Sequence, residues 1–570
     1  DEQLLEKDFE EKGWHTIDYK GDGKIKALPG ASMYLANTLK SSETKNIQKT
    51  MFPLYCPRCG FEVRFDKDKP TLTPITRHST YVQKVNQVFA DNLMEVQKEE
   101  KKPKLVLFSD SRQSAAKLSS GIELDHYHDM LRIAIYKSLQ SSGKDELIKL
   151  YKLEKTSQDF ITLYAKLNSS KLDPTSKDMV NKIFQFKMIA ETDELRIEIE
   201  NFLNNQNIPL DTIIQDVEHR MICAGINPAG PDPSINVKKE NGNNFDWHQH
   251  IDWENNCLKY VNDDRFDSET RNIDNKCRAE ILQTIFGNSK RSFESLGIGY
   301  ITVKDFAGSD NSDFYDACLR LFGENFRIFD PEKQPHYYDK NKETHGLFMK
   351  LRRYNNKVNG EWGGDAKSPK LVAMRESFRD KKIFRIYPDN QYITYLDGTC
   401  TGLEFKKPSE NEEVYICPKC RTAHLHWSKG ICTFCLNPLS KENIILYKDF
   451  IQEHKFYTKN LESEISRLHC EELTGQTDLT DSLRRQRLFQ GEAVSGEIKK
   501  ADTIDLLSVT TTMEAGVDIG SLSAVMLGNV PPQRFNYQQR VGRAGRRGAP
   551  LAIALTVAKN NSHDLAHFNK

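Results

Sequence analysis

The 570-residue chain has no excess charge of either sign, because 81 Lys and Arg side chains balance 81 Asp and Glu. This balance excludes a uniformly basic nucleic-acid coat and an acidic disordered tail. An apolar stretch near the ~18 residues of a membrane span is also lacking. The longest candidate, Leu551 to Ala558, has the length of a strand. We therefore expect a protein without membrane association.

A charged-then-apolar leader is absent as well, and the sequence opens Asp-Glu-Gln-Leu-Leu without an initiator Met. We therefore expect a cytoplasmic protein and a chain that is a piece of something longer. Hydrophobic residues make up 38% and charged residues 28%, which is typical of a polar globular protein. The length predicts two to four folded units.

Cysteine is sparse, yet half of the 12 cysteines fall in Cys-x-x-Cys pairs. Two pairs follow one another, Cys417 with Cys420 and Cys432 with Cys435. Four thiolates at this spacing can close a tetrahedral Zn²⁺ site. A lone pair would fit a redox function, but tandem pairs in turn-rich surroundings favour a structural zinc ribbon.

A third pair, Cys56 and Cys59, has the sequence pattern of another zinc knuckle, but no obvious second pair accompanies it in the chain. Metal binding there stays an open alternative. Beside the tandem pairs, His424 and His426 are spare ligand candidates, although four thiolates already fill the site. The basic residues around them would suit either nucleic-acid contact or a plain solvated face.

Short apolar runs predict an α/β fold. Leu105–Phe108 precedes a polar turn and a helix-compatible stretch, which is the pattern of a βα unit. Three later runs, 504–509, 524–530 and 551–558, suit strands buried on both faces of a parallel sheet. The sequence therefore predicts one sheet whose first strand is separated from the others by a long, mainly helical insertion.

The segment Gln539–Arg546 places arginines three residues apart, with glycines between them. On a helical turn Arg540 and Arg543 would project together. The glycines would allow close backbone approach and end the helix, leaving Arg546 near the same pocket. Converging guanidinium groups suit a polyphosphate, as an arginine finger does at a γ-phosphoryl group. A basic surface patch for nucleic-acid phosphates is the alternative.

A polar loop, Thr510–Gly520, follows a predicted strand. Open α/β sheets bind ligands at this end of their strands. Thr510 can donate a hydrogen bond to a phosphate, and Asp518 can accept one from a ribose hydroxyl.

Four segments resemble, in order, motifs IV, IVa, V and VI of superfamily 2 helicases: Ser109–Gln113, Glu472–Gln476 with Arg484–Phe489, Thr510–Gly520 and Gln539–Arg546. These motifs mark the second RecA-like domain. The wording of 107–113 and of Ser562-His563-Asp564 is similar to a narrower group, the large DEAD/DEAH-like helicases of bacterial anti-phage systems such as DISARM and Druantia.

The resemblance implies ATP with Mg²⁺ as a cofactor and nucleic acid, DNA before RNA, as a partner, with a protein subunit of a defence complex as a further partner. Two residues would be catalytic, reaching the γ-phosphate: Arg543 and Arg546. Four would surround the nucleotide: Gly516, Asp518, Gln539 and Arg540. Three would hold strand phosphates without reading sequence: Ser109, Arg112 and Thr510.

Two motifs of a complete ATP site are missing from the chain. The sequence contains no Gly-x-x-x-x-Gly-Lys-[Ser/Thr] loop and no Asp-Glu-x-[Asp/His] box. We expect an upstream piece of the same protein to supply the first RecA-like domain. The alternatives are a non-catalytic nucleic-acid-binding scaffold with a degenerate helicase fold, and a DNA-repair helicase of the same superfamily.

The predicted domains are a linker region with a Cys knuckle (1–75), the first part of the second RecA-like domain (76–135), a largely helical insertion (136–405), a zinc ribbon (406–440) and the rest of the RecA-like domain (441–570). Charge is segregated in the last segment. From Ile519 to His563 there is no Asp or Glu, whereas six Arg and Lys occur. The neutral chain is thus basic where the polyanion chemistry is expected.

Overall fold

The computed structural model describes residues 82–97, 103–140, 144–169, 174–189, 191–204, 207–231, 244–287, 291–304, 311–330, 348–360, 368–387, 390–400, 402–510, 522–545, 552–558 and 564, and the backbone of short strands elsewhere. Several predicted site residues lie outside the described residues: Cys56, Cys59, Gly516, Asp518 and Arg546.

A parallel sheet organises the RecA-like part. Its five strands among the described residues are β1 (Leu105–Ser109), β2 (Cys470–Leu473), β3 (Leu506–Thr510), β4 (Ala524–Leu527) and β5 (Ile553–Thr556), in the order β2-β3-β1-β4-β5. All residues of β1, β3 and β4 are buried, as strands covered on both faces require. The predicted α/β fold is confirmed, and β1 occupies the centre of the sheet.

Helices cover both faces of this sheet. On one face, Leu105 and Leu107 share a core with α1 (Val82–Val96) and with the first half of α2 (Arg112–Gln140). On the other face, Val106 and Phe108 pack with α3 (Leu479–Phe489) and with the end of α4 (Arg534–Val541). Alternate residues of β1 therefore enter two separate apolar layers.

Helix α2 joins the sheet to the insertion. Near its start, Leu118 and Ile122 pack on the sheet, whereas Met130 and Leu131 belong to the core of the insertion. The helix runs without interruption to Gln140, across the predicted domain boundary at 135/136. One rigid element thus belongs to both cores.

The described part of the insertion is mainly helical, as predicted, and has two main apolar cores. A small core is formed by four helices: Lys144–Lys152, Gln158–Ser169, Pro174–Met188 and Asp193–Asn204. A larger core is formed around five more: Leu210–Cys223, Asp264–Phe286, Ser312–Glu324, Met349–Asn359 and Pro369–Asp380. An antiparallel sheet of Tyr300–Val303, Leu403–Lys406 and Asn207–Pro209 also contributes, which the sequence did not predict because its strands are short and far apart in the chain.

The remaining elements are short. Two-residue or longer strands pair as Val237–Lys238 with Asn244–Phe245, Ile251–Asp252 with Cys257–Leu258, and Phe384–Tyr387 with Asn390–Leu396. Toward the N-terminus the strands are Trp14–Tyr19, Ile25–Lys26, Met33–Ala36, Leu39–Lys40, Thr50–Met51, Phe65–Asp66 and Lys69–Pro70. The further helices are Tyr447–Thr458 and Lys499–Asp502, with 3₁₀ turns at Trp247–His250, Ser428–Gly430 and Lys459–Glu462. Within the described residues, no helix has both the length and the apolarity needed to cross a membrane.

A second contact fixes the insertion to the RecA-like part. Gly225 has φ +76°, and a Cβ there would lie 2.2 Å from the Lys500 carbonyl oxygen, so only glycine fits. Lys500 Nζ donates to Asn256 Oδ1 at 3.3 Å, and His248 Nδ1 lies 3.0 Å from Asp502 Oδ1. Together with α2, this contact holds the insertion at two points.

His126 ties three segments together on the α1/α2 side. Its Nδ1 lies 2.8 Å from Asp91 Oδ1 on α1, and its Nε2 lies 2.7 Å from the Ser466 carbonyl oxygen just before β2. Both partners are acceptors, so an imidazolium satisfies both bonds. Burial opposes the charge, but the hydrogen bond to Asp91 and its negative charge outweigh it and raise the pKa of His126 above 6.5.

We predict that Asp91→Asn reduces the pH dependence of thermal stability. A raised histidine pKa contributes stability that is full below about pH 6.5 and is lost as pH rises through the folded-state pKa. The variant should be less stable than the wild type by up to about 3 kcal/mol at low pH. The difference should narrow at higher pH. Thermal melts across this range measure both curves, and a constant difference at every pH would contradict the assignment.

Candidate nucleotide and nucleic-acid site with a metal centre

Polar residues collect where the parallel strands end. Ser109 and Thr510 close β1 and β3 and are direct register partners. Thr474 follows β2, and Asn529 follows β4 closely. Because the carboxyl ends of parallel strands meet at one edge, Ser109 of motif IV and Thr510, the described first residue of motif V, lie beside the end of β2, where motif IVa is located. This edge of the sheet is called the carboxyl edge below.

Arg112 connects motif IV with motif IVa across this edge. It is the first residue of α2, and its Nη1 donates to Gln476 Oε1 at 2.5 Å. Its side chain is exposed, whereas Ser109 and Thr510 are buried, with 2% and 6% of their surface exposed. Ser109 Oγ donates to the Ser111 carbonyl oxygen at 3.1 Å. Of the three predicted strand-phosphate contacts, Arg112 is thus the one open to solvent.

The arginines of motif IVa are engaged within the fold. Arg487 pairs with both carboxylate oxygens of Glu497, each at 2.7 Å, and Arg484 lies 3.4 Å from the same carboxylate. Hydrogen bonds from Arg487 lower the pKa of Glu497 to about 2. Arg485 donates to the Glu472 carbonyl oxygen. These side chains fasten α3 and its following loop to the sheet.

Arg540 is placed differently from the expectation that it projects beside Arg543. Its side chain is fully buried, and its guanidinium lies 3.4 Å from Asp110 Oδ1 and 5.6 Å from the centre of the Phe108 ring. Asn529 Nδ2 also donates to Asp110. Burial of a guanidinium is costly unless it is paired, and the Asp110 carboxylate provides that partner for Arg540. In this structure the Arg540 guanidinium faces β1 and Asp110.

The other predicted residues of motif VI lie at the end of α4. Gln539 is exposed and Arg543 is half-buried. Helix α4 ends at Val541, as the glycines predicted. Gly545 has φ +75°, and a Cβ there would lie 2.7 Å from Ala552 Cβ, so glycine is required for the chain to pass β5.

A three-stranded antiparallel sheet carries the four tandem cysteines. Glu413–Ile416 is its central strand, flanked by Ala423–His424 and Ile444–Leu446. The two knuckles have matching backbones. The amide after each second cysteine, at Arg421 and Leu436, donates to the carbonyl of the first cysteine at 2.9 Å, with φ of 60° and 58°.

The four sulfur atoms lie within 4.8 Å of one another. Cys417 Sγ is 3.5 Å from Cys435 Sγ, and Cys420 Sγ is 3.6 Å from Cys432 Sγ. Zn–S bonds of ~2.3 Å in a tetrahedron require sulfur separations of about 3.8 Å. The residues therefore fit Zn²⁺.

Two contributors were missed by the sequence reasoning. Asp110 holds Arg540, and its position between two serines directly after a strand was the available signal. Arg320, in the insertion, reaches His424 beside the cysteine cluster, and nothing in the local sequence marks it.

Comparison with known proteins agrees with this geometry. Residues 429–548 match the family described as helicase conserved C-terminal domain. Over 65 residues the chain is 66% identical to Druantia protein DruE of Escherichia coli (strain UMEA 4076-1), a segment of 11% of this chain and 4% of that protein. The aligned chain therefore spans a small part of that relative's length.

Strand β1 lies before the matched residues, yet it is the central strand of the sheet formed by β2 to β5. The sheet that contains the matched residues is thus built from two separate parts of the chain. The predicted resemblance is confirmed at this level: residues 429–548 match the helicase conserved C-terminal domain, a 65-residue segment is similar to Druantia protein DruE, and the chain bears a zinc-ribbon-like cysteine cluster.

Proposed function

We propose that this chain is the second RecA-like half of an ATP-dependent helicase or translocase that acts on DNA in bacterial anti-phage defence. The observation that supports the proposal is the pairing of Ser109 with Thr510 at the carboxyl edge, with Arg540 of α4 packed against Asp110 directly after β1. The similarity to Druantia protein DruE supports the defence setting. Another RecA-like domain supplies the phosphate-binding loop and the Mg²⁺-binding carboxylate.

In this proposal ATP and nucleic acid bind to different parts of the domain surface. Arg543 and Arg546 reach the γ-phosphate of ATP bound by the other domain, while Gly516, Asp518 and Gln539 line the nucleotide. Arg540 acts as a positioning residue, because its contact with Asp110 fixes α4 against β1. A guanidinium aimed at the transferring phosphoryl group stabilises its developing charge.

Nucleic acid lies across the carboxyl edge. Arg112 contacts a backbone phosphate, and the buried Ser109 and Thr510 hold the ends of β1 and β3 together at the edge where the nucleic acid lies. Since such contacts are directed to phosphates, they hold the strand without reading its sequence.

Arg546→Ala in the full-length protein should abolish nucleic-acid-stimulated ATP hydrolysis, a loss of about 10³-fold or more. Circular dichroism should show unchanged folding. Arg547→Ala removes the same charge from the next position and should retain turnover. Stimulated hydrolysis that persists in Arg546→Ala would refute the arginine-finger assignment. Absence of stimulated ATP hydrolysis from the wild-type protein would favour the alternative of a non-catalytic scaffold.

Arg112→Ala should weaken DNA binding to a similar extent for unrelated sequences. Loss of one phosphate contact lowers the slope of log K against log salt by about 1. Lys117→Ala removes an exposed cation from the same helix farther from the edge and serves as the control. Titrations at several salt concentrations measure the slope, and equal slopes for Arg112→Ala and wild type would contradict a phosphate contact.

We further propose that Cys417, Cys420, Cys432 and Cys435 bind one structural Zn²⁺. Metal analysis of Cys432→Ser should show about one zinc less per chain than the wild type. The exposed Cys257 offers a matched control, since Cys257→Ser should retain the wild-type content. Equal zinc in Cys432→Ser and wild type would exclude this site.

A further inference from the structure

Arg320 is enclosed between the insertion and the cysteine cluster. It lies on the helix Ser312–Glu324, and its side chain is 3% exposed. Its Nη1 is 2.6 Å from Glu294 Oε1, and its Nε donates to Glu324 Oε1 at 2.8 Å. Its Nη2 donates to Ser295 Oγ at 3.2 Å. These partners, on three sides of a planar group, fix the direction in which the guanidinium points.

The same guanidinium decides which nitrogen of His424 carries the proton. Arg320 Nη1 donates to the Ala423 carbonyl oxygen and lies 3.0 Å from His424 Nδ1. A guanidinium has only donors, so a hydrogen on Nδ1 would point at a positively charged N–H group 3.0 Å away; we therefore assign Nδ1 as the nitrogen without hydrogen, to which Ser428 Oγ at 3.4 Å can also donate. The imidazole is then neutral with its hydrogen on Nε2. That nitrogen lies 3.4 Å from Cys432 Sγ.

From this geometry we infer that His424 is a positioning residue of the metal centre, which donates an N–H···S hydrogen bond to the Cys432 thiolate in the tautomer that Arg320 imposes. His424 is not a ligand in place of a cysteine, because its Nε2 lone pair is occupied by hydrogen. A hydrogen bond to the charged thiolate stabilises it and reduces its electron donation to the metal. The inference rests on zinc binding by the four cysteines, as proposed above.

This arrangement makes the insertion part of the metal site. Arg320 and its two carboxylates come from the insertion, whereas Cys432 and His424 come from the ribbon. A change in the packing of the Ser312–Glu324 helix would therefore reach the Cys432 sulfur through two hydrogen bonds.

The test compares His424→Leu with His424→Gln and His426→Leu in the full chain. Leucine removes the donor, whereas the glutamine amide nitrogen can take the place of Nε2. His426 is a buried neighbour in the same ribbon. Among the described residues it contacts Ser428 Oγ at 3.2 Å and Glu294 Oε1 at 3.6 Å but no cysteine sulfur, so His426→Leu controls for lost packing. Zinc affinity, by competition with a chromogenic chelator, should fall about 10–100-fold in His424→Leu and recover in His424→Gln.

Substitution of Co²⁺ for zinc gives a second readout. Without the hydrogen bond the Cys432 thiolate is more electron-rich, so the sulfur-to-cobalt charge-transfer band of His424→Leu should shift to longer wavelength. The band should return toward its wild-type position in His424→Gln and stay unchanged in His426→Leu. An unshifted band in His424→Leu, or a nitrogen ligand in the X-ray absorption spectrum of the wild-type zinc site, would overturn the inference. Absence of zinc from the wild-type protein would refute the metal site itself. Metal analysis therefore distinguishes failure of the zinc proposal from failure of the His424 inference.

Discussion

The hydrogen bonds of β1 with β3 on one side and β4 on the other hold together two distant parts of the chain. Residues 110–469 separate β1 from β2, yet without β1 the sheet would divide between β3 and β4. Because the register pairs Ser109 with Thr510, the same hydrogen bonds that close the sheet also align motif IV with motif V. The folding of the sheet and the assembly of its carboxyl edge are therefore one event.

Burial of Arg540 extends this dependence to motif VI. Its partner Asp110 directly follows β1, so α4 is fixed to the central strand by a charge pair as well as by apolar packing. Removing the half-exposed Asp110 would leave the buried Arg540 guanidinium with reduced compensation, which is costly in the interior. Arg543 follows α4, and Arg112 lies two residues after Asp110, so the contact between Arg540 and Asp110 links the positions of Arg543 and Arg112.

Much of this arrangement could be predicted from the sequence because its signals are local. Apolar runs such as Leu105–Phe108 predict buried strands, and glycines after Val541 predict the end of a helix. The tandem cysteines predict a ribbon, since the spacing alone brings four sulfur atoms together. The direction of individual side chains was harder to predict from the sequence. Arg540 and Arg543 have helical spacing, but Arg540 is buried beside Asp110, a residue far away in the chain. Arg320 could not be predicted, since its role depends on packing between the insertion and the ribbon.

We propose that the carboxyl edge belongs to a working motor. Steady-state ATP hydrolysis by the full-length protein, measured with and without single-stranded and duplex DNA, tests it most directly. The account predicts hydrolysis that rises severalfold when DNA is added and falls again as salt weakens the phosphate contacts. Hydrolysis that is absent or indifferent to nucleic acid would contradict it.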